Sequence, residues 1–239
     1  MYLSAEPFHK LDAFLARRFE SLFPEGLDWD SRGVERLLQA NFGACLNPLL
    51  KILGEGLPSL QDAFLAQVSL QGAIIPGTDL RGANLEESNL EDANLSRSDL
   101  QGANLHEARL IWTNLRFCNL QGANLSVSAW VNGLLDGADL TGANLENASL
   151  LRAVASGAIL AQANLRQVDL SWSNLVLADF QAADLRNANL RGANLRGANL
   201  TGADLSGANL ADTILSEARL EGAVLPEGWA DICLAGPLS

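Results

Sequence analysis

The sequence predicts a mainly β solenoid preceded by a small helical domain, and three observations carry that reading. Leucine stands at nearly every fifth position from Leu65 to Leu225, and the phase never slips. A small residue lies two places before it and Asn or Asp one place before, as in Ala83-Asn84-Leu85, Ala193-Asn194-Leu195 and Ala203-Asp204-Leu205. Residues ahead of about Gln61 lack the period and instead space apolar residues three and four apart. A short fixed period describes units that bury their apolar side chains only by stacking on one another.

In chain order, residues 1–60 read as a helical appendage. Phe8, Leu11, Leu15, Phe19 and Leu22 make one amphipathic helix. Pro24, Gly26 and Asp30 mark a break, Val34, Leu37 and Leu38 begin a second helix, and Pro48 opens a short apolar segment from Leu49 to Leu53. This appendage is expected to cap the first coil, because a β-solenoid leaves unpaired strand edges at its ends.

Residues 61–225 form the rod. A period of five fits neither a helix nor a plain strand, so each unit must be a short extended piece plus a turn, like one side of a polygon. Leu and the small residue two places earlier then share the inward face. The intervening Asn or Asp suits a corner, where its short side chain bonds nearby backbone. Glycine recurs two places after the leucine, at Gly72, Gly82, Gly102 and Gly192 among others, which predicts positive φ there. Residues 226–239 form a short tail in which Trp229 is expected to plug the last coil.

The A(N/D)LXX pattern resembles the pentapeptide-repeat family over about two-thirds of the chain. The resemblance implies a right-handed quadrilateral β-helix with four repeats per coil, so that residues twenty apart lie above one another. Roughly eight coils at about 4.8 Å make a rod of about 38 Å. The best-known members, the quinolone-resistance proteins, pair two rods through a C-terminal helix into a dimer that imitates DNA charge and binds DNA gyrase. Here the tail after Leu225 contains Pro226, Gly228, Gly236 and Pro237, a composition unlike a pairing helix.

Departures from the pattern single out a surface. Leu134, Val154 and Ile159 replace Asn or Asp, and Ile111, Trp112, Val131, Leu151 and Trp172 fill slots just after the leucine. In twenty-residue coils, Ile111, Trp112, Val131, Leu134, Leu151, Val154 and Trp172 gather on one side, and an apolar patch of this kind marks a partner surface. Trp130 and Ala155 break the leucine series itself, and a bulge turning Trp130 outward is the expectation, with volume compensation in the core as the alternative.

The formal net charge of −12 disfavours nucleic acid and anionic membranes as direct ligands and makes a basic partner electrostatically easier. Arg166 and Arg186 are expected to stack under Glu146 as exposed ion pairs. Glu6 and Pro7 precede Phe8, where the apolar helical series begins, no apolar run reaches membrane length, and Cys45, Cys118 and Cys233 form an odd set; these predict a cytoplasmic protein with free thiols. His9 and His106 lie far apart and without a cysteine pair, so no metal spacing arises. Aspartates such as Asp79, Asp99 and Asp139 recur with the repeat, which removes them as evidence of an acid/base dyad. The expected function is therefore a non-catalytic, bacterial protein-binding scaffold or regulator without cofactor, metal, small-molecule substrate, direct nucleic acid or membrane. It is expected to be monomeric, with self-association through the apolar side as the other use of that surface. The alternative is a DNA-imitating regulator of an enzyme such as gyrase.

Overall fold

The computed structural model of the chain describes residues 2–6, 13–40, 43, 46, 47, 50 and 57–229. Phe8, His9, Leu11, Cys45, most of the Leu49–Leu53 segment, Cys233 and the end of the tail lie outside the described residues. From Phe64 to Val224 every residue preceding the central apolar position makes a parallel bridge with the residue twenty further on, from Phe64↔Asn84 to Asp204↔Val224. The rod therefore climbs eight steps with four sides per coil. We name the sides by their inward residues: side A holds Leu65 and Leu85, side B Leu70 and Leu90, side C Ile75 and Leu95, and side D Leu80 and Leu100.

Each coil uses its backbone completely. On side A, the Leu85 amide donates to Asn104 O at 2.7 Å, the Asn104 amide donates to Ala83 O at 2.9 Å, and the corner amide of Glu87 donates to His106 O at 2.8 Å. The Ser88 amide closes the corner on Leu85 O at 3.1 Å. Leucines and the small residues two places earlier are buried along the rod as far as Leu210 and half-buried in the last coil, which removes apolar surface from water at roughly 25 cal/mol per Å².

Asn and Asp do not form the corner as the sequence suggested. They sit mid-side as the bridging residues, and the two residues after each leucine make the turn. The carboxamide braces that turn from the side: Asn84 Oδ1 accepts from the Glu86 amide at 3.1 Å, and Asn89 repeats the contact with Glu91. The outward amides also stack. Asn104, Asn124, Asn144 and Asn164 each donate Nδ2 to the Oδ1 one coil earlier, at 2.9–3.2 Å. Glycine takes the second turn position at φ near +65°, as at Gly82 and Gly192.

Trp130 corrects a second expectation, because it is fully buried. Its indole N–H donates to Ser128 Oγ, whose hydroxyl passes the bond on to Leu125 O at 2.5 Å. Ser128 stands where the repeat normally has alanine, so the buried donor is satisfied and the outward bulge is unnecessary. At Gly133 a Cβ would lie 3.1 Å from the Trp130 backbone oxygen and 3.6 Å from the Trp130 Cβ. In the register Ala155 stands on side C, one coil after the side that follows Trp130.

Two antiparallel two-residue strands, β1 (Tyr2–Leu3) and β2 (Leu27–Asp28), pair Tyr2 with Asp28 and Leu3 with Leu27. They were not legible in the sequence. Helix α1 spans Ala13–Leu22 and α2 spans Ser31–Gln39. Asp30 caps α2 by accepting from the Gly33 amide at 2.8 Å. Phe19, Phe23, Val34, Leu37 and Leu38 are buried, whereas Leu22 points to solvent. The helices meet the first coil through side chains. From α2, Glu35 Oε1 accepts from the Phe64 amide at 3.1 Å and Gln39 Nε2 donates to Phe64 O at 2.7 Å. Asn47 Oδ1 accepts from the Ile74 amide at 2.6 Å while its Nδ2 donates to Gly72 O at 2.7 Å. At the other end, Trp229 is half-buried and packs against the core.

Several surface carboxylates are held ionised. Arg81, by a hydrogen bond first and then charge, together with Ser59, keeps Asp79 far below the ordinary carboxylate range; a hydrogen bond from Arg186 lowers Asp184, and one from Ser206 lowers Asp204. Arg186 thus pairs with Asp184 at 2.5 Å and reaches Asp204 at 3.8 Å, while Arg166 alone approaches Glu146, at 4.0 Å. A depressed folded pKa contributes stability that is present above the unfolded value of about 4 and is lost as pH falls through the folded one. The urea midpoint is expected to hold level from pH 7 to 5 and to drop below about pH 4, with Asp79→Asn reducing the drop. A midpoint that falls already near pH 6, or stays level at pH 3, contradicts this origin.

Candidate functional site

The corner slots after each central residue are where the rod meets solvent, so their residue types define its surface chemistry. At the corner between sides B and C, Ile111, Val131 and Leu151 stack as a half-buried column at the first turn position. Beside them, at the second position, stand Trp112, Asn132, Arg152 and Trp172, with Trp112 58% and Trp172 54% exposed. On side C the bridged series Asn114, Leu134, Val154, Asn174 places the half-buried Leu134 and Val154 one above the other. All seven residues singled out from the sequence thus lie on side C and its leading corner.

The apolar area extends further than the sequence reading placed it. Across side C, the corner toward side D holds Phe117 at 59% and Leu177 at 69% exposure, with Ile159 on side D beyond. Phe117 and Leu177 occupy the second turn position, the same slot as Trp112 and Trp172, and applying that one slot rule to the C–D corner finds them.

The backbone makes these residues informative. Trp112, Phe117, Trp172 and Leu177 have φ of 58–59°, a left-handed conformation that costs L residues roughly 1–2 kcal/mol and that neighbouring repeats give to glycine. The Phe117, Trp172 and Leu177 side chains lean along the rod over the next glycine of the column. A Cβ at Gly192 would fall 2.4 Å from the Trp172 ring, one at Gly137 2.7 Å from the Phe117 ring, and one at Gly197 2.8 Å from Leu177. The glycines at 137, 192 and 197 thus accommodate exposed apolar groups that contribute little to the core.

The chemistry on offer is contact and charge. Cys118 is buried, its thiol donates to Leu95 O at 3.0 Å, and desolvation pushes its pKa up to about 12, so it is a poor nucleophile. On the surface of side A's corner His106 bonds Ser126 Oγ through Nδ1 at 2.8 Å and Glu107 Oε1 through Nε2 at 3.1 Å, while the Ser126 hydroxyl donates to Asn124 Oδ1 at 2.9 Å. Among the described residues no three His, Cys, Asp or Glu side chains group as a metal set, and no helix is long and apolar enough to cross a membrane.

Comparison with known proteins places the repeat. Eight copies of the pentapeptide-repeats model match residues 59–86, 88–126, 134–171, 173–212 and 203–227. Among solved structures, HetL, a pentapeptide repeat protein involved in heterocyst differentiation regulation in the cyanobacterium Nostoc sp. strain PCC 7120, is 32% identical. That match covers 71% of this chain and 90% of HetL, with a TM-score of 0.31. A pentapeptide repeat protein of the Arabidopsis thaliana thylakoid lumen is 33% identical over 39% of this chain and 66% of its own, with a TM-score of 0.39. QnrB1, a plasmid-mediated fluoroquinolone resistance protein, is 21% identical over 69% of this chain and 88% of its own, with a TM-score of 0.38. The search of curated proteins finds no match.

Proposed function

The chain belongs to the pentapeptide-repeat family, whose right-handed quadrilateral β-helix its rod adopts, and from that premise we propose that it is a non-catalytic protein-binding scaffold or regulator working through side C and its corners. One observation carries the reading: large apolar side chains stand exposed at turn positions where the backbone favours glycine, a local cost without a matching gain in the core. The proposal divides the chain into a helical cap (1–60), the rod (61–225) and a tail (226–239). It sets the protein in a bacterial cytoplasm, in keeping with the buried free thiol of Cys118.

The rival reading, imitation of DNA charge, requires closely spaced negative groups along the rod. Arg109, Arg116, Arg166, Arg186, Arg191 and Arg196 instead interleave with the acids and pair with them. The test is capture of partners by the intact protein, the Trp112→Asn/Trp172→Gly variant, and a side A control such as Gln167→Asn. The double variant is expected to melt at or above the parent temperature, since both replacements suit positive φ, and to lose at least tenfold in binding that the control and raised salt leave intact. Unchanged binding shows the face idle. Binding that instead collapses with salt supports the charge-mimic reading.

A further inference from the structure

The apolar face is formally neutral in a chain whose net charge is −12. Over five successive coils, from residue 91 to residue 177, side C and its two corners hold Arg97, Arg116 and Arg152 against Glu91, which Arg109 pairs at 3.1 Å, Asp92 and Asp136. Arg116 Nε already takes the Asp136 carboxylate, at 2.7 Å. Arg97 and Arg152 have no ion pair among the described residues: Arg97 lies over the Phe117 ring, 6.0 Å from its centroid, and Arg152 stands between Asn132 and Trp172 in the corner column. In a chain that carries −12, two guanidinium groups without an ion pair beside exposed aromatics stand out locally. Once an apolar partner excludes water there, each needs a carboxylate, because a desolvated charge left unpaired is costly.

The backbone restricts how the partner can bind. On side C the Leu115, Leu134, Leu135 and Val154 amides all donate within the ladder, to Leu134 O, Thr113 O, Val154 O and Gly133 O at 2.7–2.9 Å. Strand addition needs a free edge, which the middle of this side lacks. The partner must therefore present side chains from an element whose own backbone is already satisfied, which a helix is. Arg97 and Arg152 stand on opposite corners, fifty-five positions apart in the twenty-residue register. That is about 13 Å along the rod at about 4.8 Å per coil, and a helix crossing obliquely covers such a distance in two to three turns of about 5.4 Å.

Resting on the proposed function, we propose that side C receives an acidic amphipathic helix of a partner protein. Its apolar stripe covers Leu134 and Val154, and two carboxylates two to three turns apart reach Arg97 and Arg152. The probe is a displayed library of helical peptides with a fixed apolar stripe and flanking positions varied among Glu, Lys and Gln, selected on the full chain. Selected peptides are expected to carry Glu at two positions two to three turns apart. Arg97→Gln and Arg152→Gln should each weaken them about tenfold, and Arg152→Glu should transfer preference to the Lys counterpart, whereas Arg191→Gln, whose arginine pairs with Asp212, should have no effect. Binders lost in the Trp112→Asn/Trp172→Gly variant but carrying Lys or Gln overturn this inference and leave the proposed function standing. A library yielding no binder sensitive to that variant overturns both.

Discussion

Trp130→Ala is expected to lower the stability of the rod by about 3–5 kcal/mol, the ordinary range for deleting a fully buried aromatic side chain. The indole is the largest fully buried side chain among the described residues, and the coils above and below are fixed by continuous ladders, so little collapse into the void is available. Trp130→Leu, which restores the repeat's own residue, is nonetheless expected to destabilise. Gly133 and Ala155 are each smaller than the repeat's usual choice, and the smaller leucine leaves the space beside them empty. Adding Gly133→Ala and Ala155→Leu to Trp130→Leu should recover most of the loss. Ala155→Leu alone, in the parent, should cost about 1–3 kcal/mol by overpacking. Urea unfolding of the single and combined variants checks this; additive losses without rescue would show that the small residues do not compensate for the indole.

The second large effect is expected at the N-terminal edge. Glu35, Gln39 and Asn47 engage two amides and two carbonyls of the first coil, of which the Phe64 amide and carbonyl and the Ile74 amide are groups that a preceding coil would otherwise pair. Replacing all three with alanine removes four hydrogen bonds, each worth about 0.5–1.5 kcal/mol net, so a combined loss of about 2–6 kcal/mol is expected. Removing residues 1–57 should go further and present a bare β edge, the kind of template that pairs with another copy. Sedimentation is expected to show species larger than the parent's. A truncated rod with the parent's mass and stability would mean that the helices serve another purpose.

What was legible in the sequence follows from repetition. A five-residue period of leucine with a small residue two places earlier admits few architectures, because each unit must bury the same side chains against its neighbours. The sides, the inward series and the positive-φ glycines could all be read from it. Once the twenty-residue register is known, vertical columns follow by counting, which is how Ile111, Val131 and Leu151 came together on paper as they do in the fold.

Only the tertiary structure decided three matters, each involving contacts that the period does not encode. Trp130 faces inward with its N–H satisfied by Ser128, a local solution invisible to a rule that treats every exception as outward. Asn and Asp sit mid-side because the ladder requires a bridging residue there, and the side chain supports the turn from that place. The apolar face wraps a second corner to Phe117 and Leu177 because turn side chains lean along the rod over glycines one coil later, a direction set by backbone geometry. The helix-to-rod contacts of Glu35, Gln39 and Asn47 belong with these, since nothing periodic links residues 25 to 29 positions apart until the first coil folds beneath the helices.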